Sequence, residues 1–347
     1  MRYGSVCSGV EAATAAWHQL GWNPQWFSEI EKFPSSVLAH HYPDVPNRGD
    51  MTQFKEWPND PIDLLVGGTP CQSFSVAGLR KGLDDPRGNL MLTYVAIAAR
   101  YKPRWLVWEN VPGVLSSNRG RDFGALLTAL GEIGYGFAYR VLDAQYFGVA
   151  QRRRRVFVVG YLGDWRRAAA VLFERESLSG HPAPSREARE EVAQCLTTRT
   201  GSAYDPTTET LPIAFSSNMS VPDCQTDGST PTLKLGGHGG GNPPAVAFQQ
   251  NTRDEVRYIG GDGKIAGALA ASAGMKQTNY IQKSLSVRRL TPTECERLQG
   301  FPDDYTLIPY RNRMAADGPR YKAMGNSMAV PVMRWIGQRI NEVDKIK

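Results

Sequence analysis

The chain has 347 residues, of which 41% are hydrophobic and 21% charged, and its formal net charge is +6. This composition is typical of a globular protein, and no apolar run approaches the roughly 18 residues that a membrane span requires. The five cysteines form no CxxC pair, which argues against a structural zinc site and a disulfide framework. We therefore predict a protein with no membrane span and no bound metal. The polar N-terminus predicts a cytoplasmic location.

Short apolar runs alternate with stretches of helical composition through the first half of the chain. The runs predicted as strands are YGSVCSG, PQWFSEI, IDLLVGG and RWLVWENV, and the helices that follow them begin at EAATAAW, EKFPSSV, GNLMLTY and RDFGALL. This alternation predicts an α/β sandwich with a mostly parallel sheet. The loop between the last two strands, FAYRVLDA and RVFVVGYL, is too short for a helical crossover, so these strands are predicted to be antiparallel.

The composition changes between about residues 176 and 285. Apolar periodicity fades there, and small and polar residues accumulate, most of all in the glycine-rich segment 230–248. A flexible linker has this composition, but short apolar islands also fit an irregular strand-and-loop domain. The segment has 9 Lys and Arg against 11 Asp and Glu, so it is not a basic domain. Helical composition returns at TPTECERLQG and MAVPVMRWIGQRINEV.

The turn CSGVEAA, residues 7–13, connects the first strand to the first helix. Its small residues allow backbone N–H groups to approach a ligand, although a helix that only needs a tight turn has the same composition. Glu29 ends the second strand, where nucleotide-binding α/β folds place an acid that accepts the ribose hydroxyls. Asp50 precedes the third strand and can accept from an adenine amino group. A surface glutamate and a helix-capping aspartate are the alternatives for these two residues.

Two further residues follow strands at the carboxyl edge of the predicted sheet, where open α/β sheets bind ligands. Cys71 follows a proline in GGTPCQSFSVAG, and it is either a nucleophile on display or an inert core thiol. Glu109 ends RWLVWEN in an apolar setting, which raises a carboxyl pKa and favours a protonated acid. A buried, paired carboxylate is the alternative for Glu109.

The arginine run QRRRRVF, residues 151–157, opens the last predicted strand. An antiparallel strand begins where its parallel neighbours end, so these arginines reach the edge of Cys71 and Glu109. In an extended chain Arg153 and Arg155 face one way and their neighbours, Arg152 and Arg154, the other. One side can therefore face the cleft while the other stays near solvent or phosphates. A solvated surface or an interface rim is the ordinary alternative for such a run.

A thiol, a carboxylic acid and a guanidinium at one edge suit addition to a cytosine ring. Neighbouring arginines favour the thiolate of Cys71, which attacks carbon 6. Glu109 then contacts N3 and the 4-amino group of the ring, and Arg155 binds O2. Carbon 5 becomes an enamine-like nucleophile that can take a methyl group from a sulfonium donor.

These motifs, in this order, resemble those of the cytosine-5 DNA methyltransferases of bacterial or phage type. The resemblance covers most of the chain, through CSGVEAA, SEIEKF, GDMTQ, GGTPCQSFSVAG, DDPRGNL, ENV, QRRRR, RRLTPTECERLQGFP and YKAMGNS. It implies a Rossmann-like, S-adenosylmethionine-dependent methyltransferase sheet with an antiparallel last strand, and a smaller, irregular target recognition domain. Residues 1–175 and about 320–347 become the catalytic and cofactor-binding domain, and about 176–319 the target recognition domain and hinge.

The resemblance also implies the roles of individual residues. The catalytic residues are Cys71, Glu109, Arg153 and Arg155, of which the two arginines contact base and phosphate. The residues implied to bind S-adenosyl-L-methionine are Cys7, Ser8, Gly9, Val10, Glu29, Ile30, Asp50, Met51, Pro70, Leu90, Asn326 and Ser327. The residues implied to contact DNA are Gln72, Ser73, Arg87, Arg152, Arg154, Arg288 and Arg289. The turn departs from the family pattern, because Cys7 replaces its usual phenylalanine, and Glu11 and Ala12 replace its later glycines.

The predicted function is methylation of carbon 5 of a cytosine flipped out of a specific duplex DNA sequence, through a covalent Cys71 adduct. Flipping costs a few kcal/mol, which contacts in the pocket offset. We expect a monomer in the cytoplasm of a bacterial or phage-infected cell; a restriction–modification pair, phage self-protection and a solitary enzyme fit equally. The alternatives are a tRNA cytosine-5 methyltransferase, against which the long polar insert argues, and a non-catalytic nucleic-acid-binding relative. A thiol hydrolase is disfavoured because none of the five histidines occurs in a recognisable catalytic motif.

Overall fold

The computed structural model describes residues 1–70, 90–173 and 288–346, together with the backbone of short strands within 213–289. Its central sheet has six strands, which are β1 Arg2–Val6, β2 Asn23–Ser28, β3 Leu64–Gly67, β4 Trp105–Asn110, β5 Tyr135–Asp143 and β6 Arg154–Leu162. They lie in the order β2-β1-β3-β4-β6-β5. Strands β1 to β4 pair in parallel, and β6 runs antiparallel to both β4 and β5. This sheet confirms the predicted fold class.

Eight α-helices lie in the described part of the chain. They are α1 Ala12–Trp17, α2 Lys32–His41, α3 Leu90–Tyr101, α4 Arg121–Glu132, α5 Trp165–Leu172, α6 Pro292–Gln299, α7 Asp317–Asn326 and α8 Val330–Val343. The sequence did not predict α5 or α7. Helix α5 begins within the arginine-containing segment DWRRA, residues 164–168. Asp164 caps the helix by accepting from Arg166 N at 3.0 Å. Helix α7 begins with the residues DGP, and a proline is tolerated in a first turn.

Two hydrophobic clusters cover the two faces of the sheet. One contains residues of α3 and α4, including Tyr94 and Leu126. The other joins α1 and α5 to α8 at the C-terminus. In that cluster Trp17 Nε1 donates to the Met333 carbonyl at 2.7 Å, and a Cβ on Gly337 would come within 2.4 Å of the same nitrogen. Gly337 therefore permits the close approach of α1 and α8.

Residues from Leu290 onward belong to the core of the first domain. Leu290, Cys295 and Tyr305 are buried in the same cluster as Tyr3 and Trp17 of the N-terminal segment. Buried residues that precede the boundary expected at about residue 320 therefore already pack against the N-terminal segment. The division into domains stays a prediction.

The described backbone of the insert contains two antiparallel sheets. Strands β7 Ile213–Phe215 and β8 Cys224–Thr226 form one of them. The other has the order β10-β9-β11-β12, with β9 Val246–Asn251, β10 Val256–Arg257, β11 Gln277–Lys283 and β12 Ser286–Arg289. A further hairpin joins β13 Pro309–Tyr310 to β14 Arg313–Met314. Within the described residues, no helix has the length and apolar character needed to cross a membrane.

Candidate active site

A cleft lies at the carboxyl edge of the sheet. The strand ends that border it are those of β1, β3 and β4, and the C-terminal segment after α7 completes it. Residues predicted for the site that line the cleft are Cys7, Ser8, Gly9, Glu109, Asn326 and Ser327. Lining residues that the sequence did not single out as site residues are Glu11, Ala12, Ala13, Gly68 and Met328. The structure therefore brings residues from both ends of the chain to one site.

The turn after β1 has three residues in the left-handed region. Cys7, Gly9 and Glu11 have φ values of 49°, 56° and 63°. A non-glycine residue in this region costs about 1–2 kcal/mol, and such residues cluster at functional sites. Ser8 fixes the turn, because its hydroxyl donates to the Ser5 carbonyl at 3.0 Å and accepts from Ser28 N at 3.1 Å.

Glu11 provides the cap of α1. Its carboxylate accepts from Thr14 N at 3.1 Å and from the Thr14 hydroxyl at 2.6 Å. Burial raises the pKa of Glu11, and the hydrogen bonds oppose that shift. The glutamate that replaces a family glycine therefore has a structural role at the helix start.

Glu29 is joined directly to the turn. One carboxylate oxygen accepts from Gly9 N at 2.8 Å, and the other accepts from Glu31 N at 2.7 Å. Burial raises the pKa of Glu29, while these backbone N–H groups lower it. Glu29 is thus a half-buried acceptor held beside the cleft, which is not the arrangement of a free surface glutamate.

Asp50 caps a short 3-10 helix, Met51–Glu56, by accepting from Thr52 N at 2.9 Å. The helix-capping alternative therefore describes its observed contact. The next residue, Met51, is buried and places its Sδ 3.5 Å from the Sγ of Cys7. Burial, with Glu29 and Asp50 nearby, raises the pKa of Cys7 to about 12. The Cys7 thiol is consequently neutral at physiological pH.

The remaining residues implied for the cofactor site do not line the cleft. Ile30 is 70% exposed beside Glu29. The Val10 side chain lies in the core, and its carbonyl accepts from the Tyr305 hydroxyl at 3.0 Å. Pro70 is exposed at the end of the segment after β3, and Leu90 begins α3 partly buried.

Glu109 and Arg155 form a pair at the end of β4. Glu109 Oε1 lies 3.0 Å from Arg155 Nε, and the Glu109 residue is only 9% exposed. Burial raises the pKa of Glu109, and the charges of Arg155 and Arg153 oppose the shift. A Cβ on Gly68 would lie 2.9 Å from Glu109 Oε2, so the glycine lets the carboxyl approach the loop backbone. Glu109 is both buried and paired, and its burial holds its pKa above that of an ordinary carboxyl.

The segment that leads towards Cys71 is tied to the strand that carries Glu109. Trp108 Nε1 donates to the Thr69 hydroxyl at 2.9 Å, and Asn110 Nδ2 donates to the Thr69 carbonyl at 2.9 Å. These bonds hold the end of β3 beside the end of β4. The residues Cys71, Gln72, Ser73 and Arg87 lie outside the described residues, so their roles stay predictions.

The arginines at the start of β6 alternate as expected for an extended chain. Arg152 and Arg154 are exposed, whereas Arg153 is buried and Arg155 is half-buried. Arg153 donates from Nη2 to the carbonyls of Gly325 and Ser327. The guanidinium of Arg153 is thus enclosed by protein. The contact with base or phosphate implied for it stays a prediction.

Arg288 and Arg289 are exposed at the end of β12. Arg288 makes a bidentate pair with Glu294, at 2.8 and 2.7 Å. This pairing lowers the pKa of Glu294 to about 2. The guanidinium of Arg288 is therefore engaged within the protein, and the DNA contact implied for the exposed Arg289 stays a prediction.

Comparison with known proteins identifies the family. The family described as C-5 cytosine-specific DNA methylase matches residues 1–342. The chain belongs to this family. The prediction made from the motifs is thereby confirmed, and so is the class of enzyme, since relatives of this DNA methylase family include Type II methyltransferases.

Individual relatives differ in length and in the activity that their names state. The chain is 37% identical to the "DNA N-6-adenine-methyltransferase" of Escherichia phage P1, over 98% of this chain and 61% of that protein. It is 27% identical to the Type II methyltransferase M2.BsuMI of Bacillus subtilis strain 168, over 99% of this chain and 76% of that protein. The chain thus spans less than two thirds of the phage P1 relative.

The solved structures show the same fold. The S. pombe Dnmt2 methyltransferase has a TM-score of 0.64 and 15% sequence identity, with 99% of each chain covered. At this identity the likeness concerns the fold alone.

Among residues 1–70, 90–173 and 288–346, no group of three or more His, Cys, Asp or Glu side chains is placed to hold a metal ion.

Proposed function

We propose that this chain transfers a methyl group from S-adenosylmethionine to carbon 5 of a cytosine in duplex DNA. The observation that carries this proposal is the buried pair of Glu109 and Arg155, which borders the cleft formed by the turn after β1 and by Asn326. A carboxyl that favours its proton and an adjacent guanidinium match the N3 and O2 positions of a flipped cytosine.

The proposed reaction begins with addition of the Cys71 thiolate to carbon 6. The new S–C bond pushes electron density toward N3, where the Glu109 proton compensates it, and Arg155 stabilises O2. Carbon 5 would then attack the methyl group of the sulfonium donor, whose S–methyl bond breaks and leaves a neutral thioether. Loss of the carbon 5 proton to water, return of the N3 proton to Glu109 and expulsion of the Cys71 thiolate restore the aromatic ring. Preorganised donors of this kind supply much of an enzyme's rate enhancement.

The residues of the cleft fit S-adenosylmethionine, whose sulfonium supplies an electrophilic methyl group when it is bound. The carboxylate of Glu29 is an acceptor suited to ribose hydroxyls and is already held at the turn by Gly9 N. A Cβ on Gly9 would meet no atom within 4 Å, so space remains beside the backbone at this point. Cys7 with Met51 offers an apolar, sulfur-containing wall where the family has a phenylalanine.

DNA is the proposed macromolecular substrate, bound by a monomer. The exposed guanidiniums of Arg152 and Arg154 can neutralise phosphates beside the cleft, with Gln72, Ser73, Arg87 and Arg289 as further proposed contacts. We assign catalysis to residues 1–173 with 290–346, and target recognition to the insert between them. Loops of that insert would read the major groove, where the four base pairs are distinguishable.

The test is transfer of a labelled methyl group into a varied set of duplex DNAs, followed by digestion and separation of the nucleosides. We expect the label in 5-methylcytosine. A fluorinated cytosine oligonucleotide should trap wild-type protein covalently, and Cys71→Ala should bind S-adenosylmethionine without trapping. Label only in N6-methyladenine, as the phage P1 relative's name suggests for that protein, or only in tRNA, would overturn the proposal.

A further inference from the structure

The guanidinium of Arg153 is bonded to the main chain of the C-terminal segment. Its Nη2 donates to the Gly325 carbonyl at 3.0 Å and to the Ser327 carbonyl at 2.7 Å. These carbonyls flank Asn326, and both Asn326 and Ser327 line the cleft. One side chain at the start of β6 therefore fixes the wall of the cleft that comes from the other end of the chain.

The rest of Arg153 is enclosed as well. Its N–H donates to Asp143 Oδ1 at 2.9 Å, and its carbonyl accepts from Ala144 N at 3.1 Å. The residue is 2% exposed, and its Nε and Nη1 atoms are buried without a hydrogen-bond partner among the described residues. The guanidinium consequently presents no donor at the surface to a DNA phosphate.

A second buried side chain holds the same segment. Gln299, at the end of α6, is fully buried, and its Nε2 donates to the Met324 carbonyl at 2.8 Å. Arg153 and Gln299 together engage the main chain at Met324, Gly325 and Ser327. Because these are main-chain carbonyls, the anchoring depends on the donors and not on the side chains of the segment that they hold.

We propose that Arg153 is a positioning residue that, with Gln299, holds residues 324–328 against β6 so that Asn326 and Ser327 complete the cofactor cleft. This inference rests on the proposed function for the identity of the cofactor. In this inference, Arg153 bonds to the main chain of Gly325 and Ser327 in place of the DNA contact implied for it. The strand that carries Arg155 is thereby mechanically connected to the wall of the cofactor site.

The experiment measures cofactor and DNA binding separately on the full chain without turnover. The variants are Arg153→Lys, which keeps the charge but loses the planar fork, and Gln299→Met, which removes the amide donors. The matched control is Arg166→Lys, at an exposed arginine of α5 to which no contact with cofactor or DNA is assigned. Calorimetry with S-adenosylmethionine gives the cofactor Kd, fluorescence anisotropy of a duplex at two salt concentrations gives DNA affinity, and circular dichroism reports folding.

We expect both variants to weaken S-adenosylmethionine binding by about tenfold, as loss of a buried hydrogen bond would. Their DNA affinity and its salt dependence should match those of wild type, and the control should keep wild-type cofactor affinity. Unchanged cofactor affinity in folded variants, or weakened DNA binding alone, would overturn the inference; if Arg153→Lys does not fold, Gln299→Met decides. Wild-type protein that binds the cofactor but methylates no DNA would instead refute the proposed function.

Discussion

Arg155 Nε lies 3.0 Å from Glu109 Oε1, and the two side chains are 16% and 12% exposed. Arg155 is the second residue of β6, and Glu109 lies near the end of β4. The ion pair therefore connects two neighbouring antiparallel strands, in which Glu109 is opposite Phe157. Two effects on the pKa of this carboxyl oppose each other, because burial favours the neutral acid and the arginine favours the anion. A group poised in this way can exchange a proton with a bound base.

Replacement of Glu109 by glutamine keeps the shape and removes the proton donor. We expect single-turnover methylation to fall about 10²–10⁴-fold, the range typical of a lost general acid. Binding of S-adenosylmethionine, measured by calorimetry, should not change. Full activity of Glu109→Gln would show that the carboxyl takes no part in the reaction.

The same variant tests the raised pKa of Glu109. Because the folded protein holds this proton more tightly than the unfolded chain, protonated Glu109 contributes stability at low pH. That contribution is lost as the pH rises from the ordinary carboxyl pKa through the raised one. The difference in unfolding free energy between wild type and Glu109→Gln, from urea titrations across this window, should therefore shift against wild type as pH rises. A pH-independent difference would contradict the shift.

Gly68→Ala tests the approach of Glu109 to the loop after β3. The added Cβ would lie 2.9 Å from Glu109 Oε2, so the carboxyl must move. We expect a loss of about 10²-fold in the methylation rate, as displacement of a catalytic group by about 1 Å can cause. Gly124→Ala is the control, because a Cβ at this exposed position in α4 meets nothing within 4 Å. Equal rates for both variants would be incompatible with the role given to Gly68.

Glu29→Gln tests the proposed acceptor of the cofactor ribose. The change removes the charge and one of the two acceptor oxygens that hold Gly9 N and Glu31 N. We expect calorimetry to show about tenfold weaker binding of S-adenosylmethionine, since hydrogen bonds to charged groups are the stronger ones. The matched control is Glu31→Gln, whose carboxylate forms an exposed pair with Lys322. Weaker cofactor binding in Glu31→Gln but not in Glu29→Gln would contradict this role, because it would assign the effect to the exposed pair of Glu31 and Lys322.

Gly337→Ala tests the packing of α1 against α8. A Cβ would meet Trp17 Nε1 at 2.4 Å, and the Trp17 side chain is fully buried. We expect a loss of about 1–3 kcal/mol in unfolding free energy, the usual cost of overpacking. Gly318→Ala, where a Cβ meets nothing within 4 Å, should change stability little. Urea unfolding followed by circular dichroism measures both.

The sequence predicts the sheet and its carboxyl edge well because strand ends carry their own signals. Glu29 and Glu109 each end an apolar run, and parallel strands bring such ends together without knowledge of other contacts. The alternation of the arginines likewise follows from the period of a strand. An alternating pattern cannot show how deeply a side chain is buried. It predicts the side of the strand on which Arg153 lies, but not which residues cover that side.

The missed features depend on partners far away in the chain. Arg153 is buried by carbonyls 172 and 174 residues further on, and Tyr305 reaches the carbonyl of Val10. Glu11 looks like a substituted glycine until the contact with Thr14 shows it to be a cap. The core position of Leu290 is hidden for the same reason, since a single apolar residue carries no periodicity.

The wall formed by Asn326 and Ser327 is translated long after the turn at Cys7, because the two lie in distant parts of the chain. Chains are produced from the N-terminus at about 5–20 residues per second, so the nascent protein spends many seconds with an open, incomplete pocket. A nascent chain therefore carries the Cys7 turn before the segment that completes the cleft exists, and Trp17 lacks its partner in α8 until Met333 has been made. Premature termination before α8 should leave the apolar surface of Trp17 uncovered and favour aggregation of the fragment.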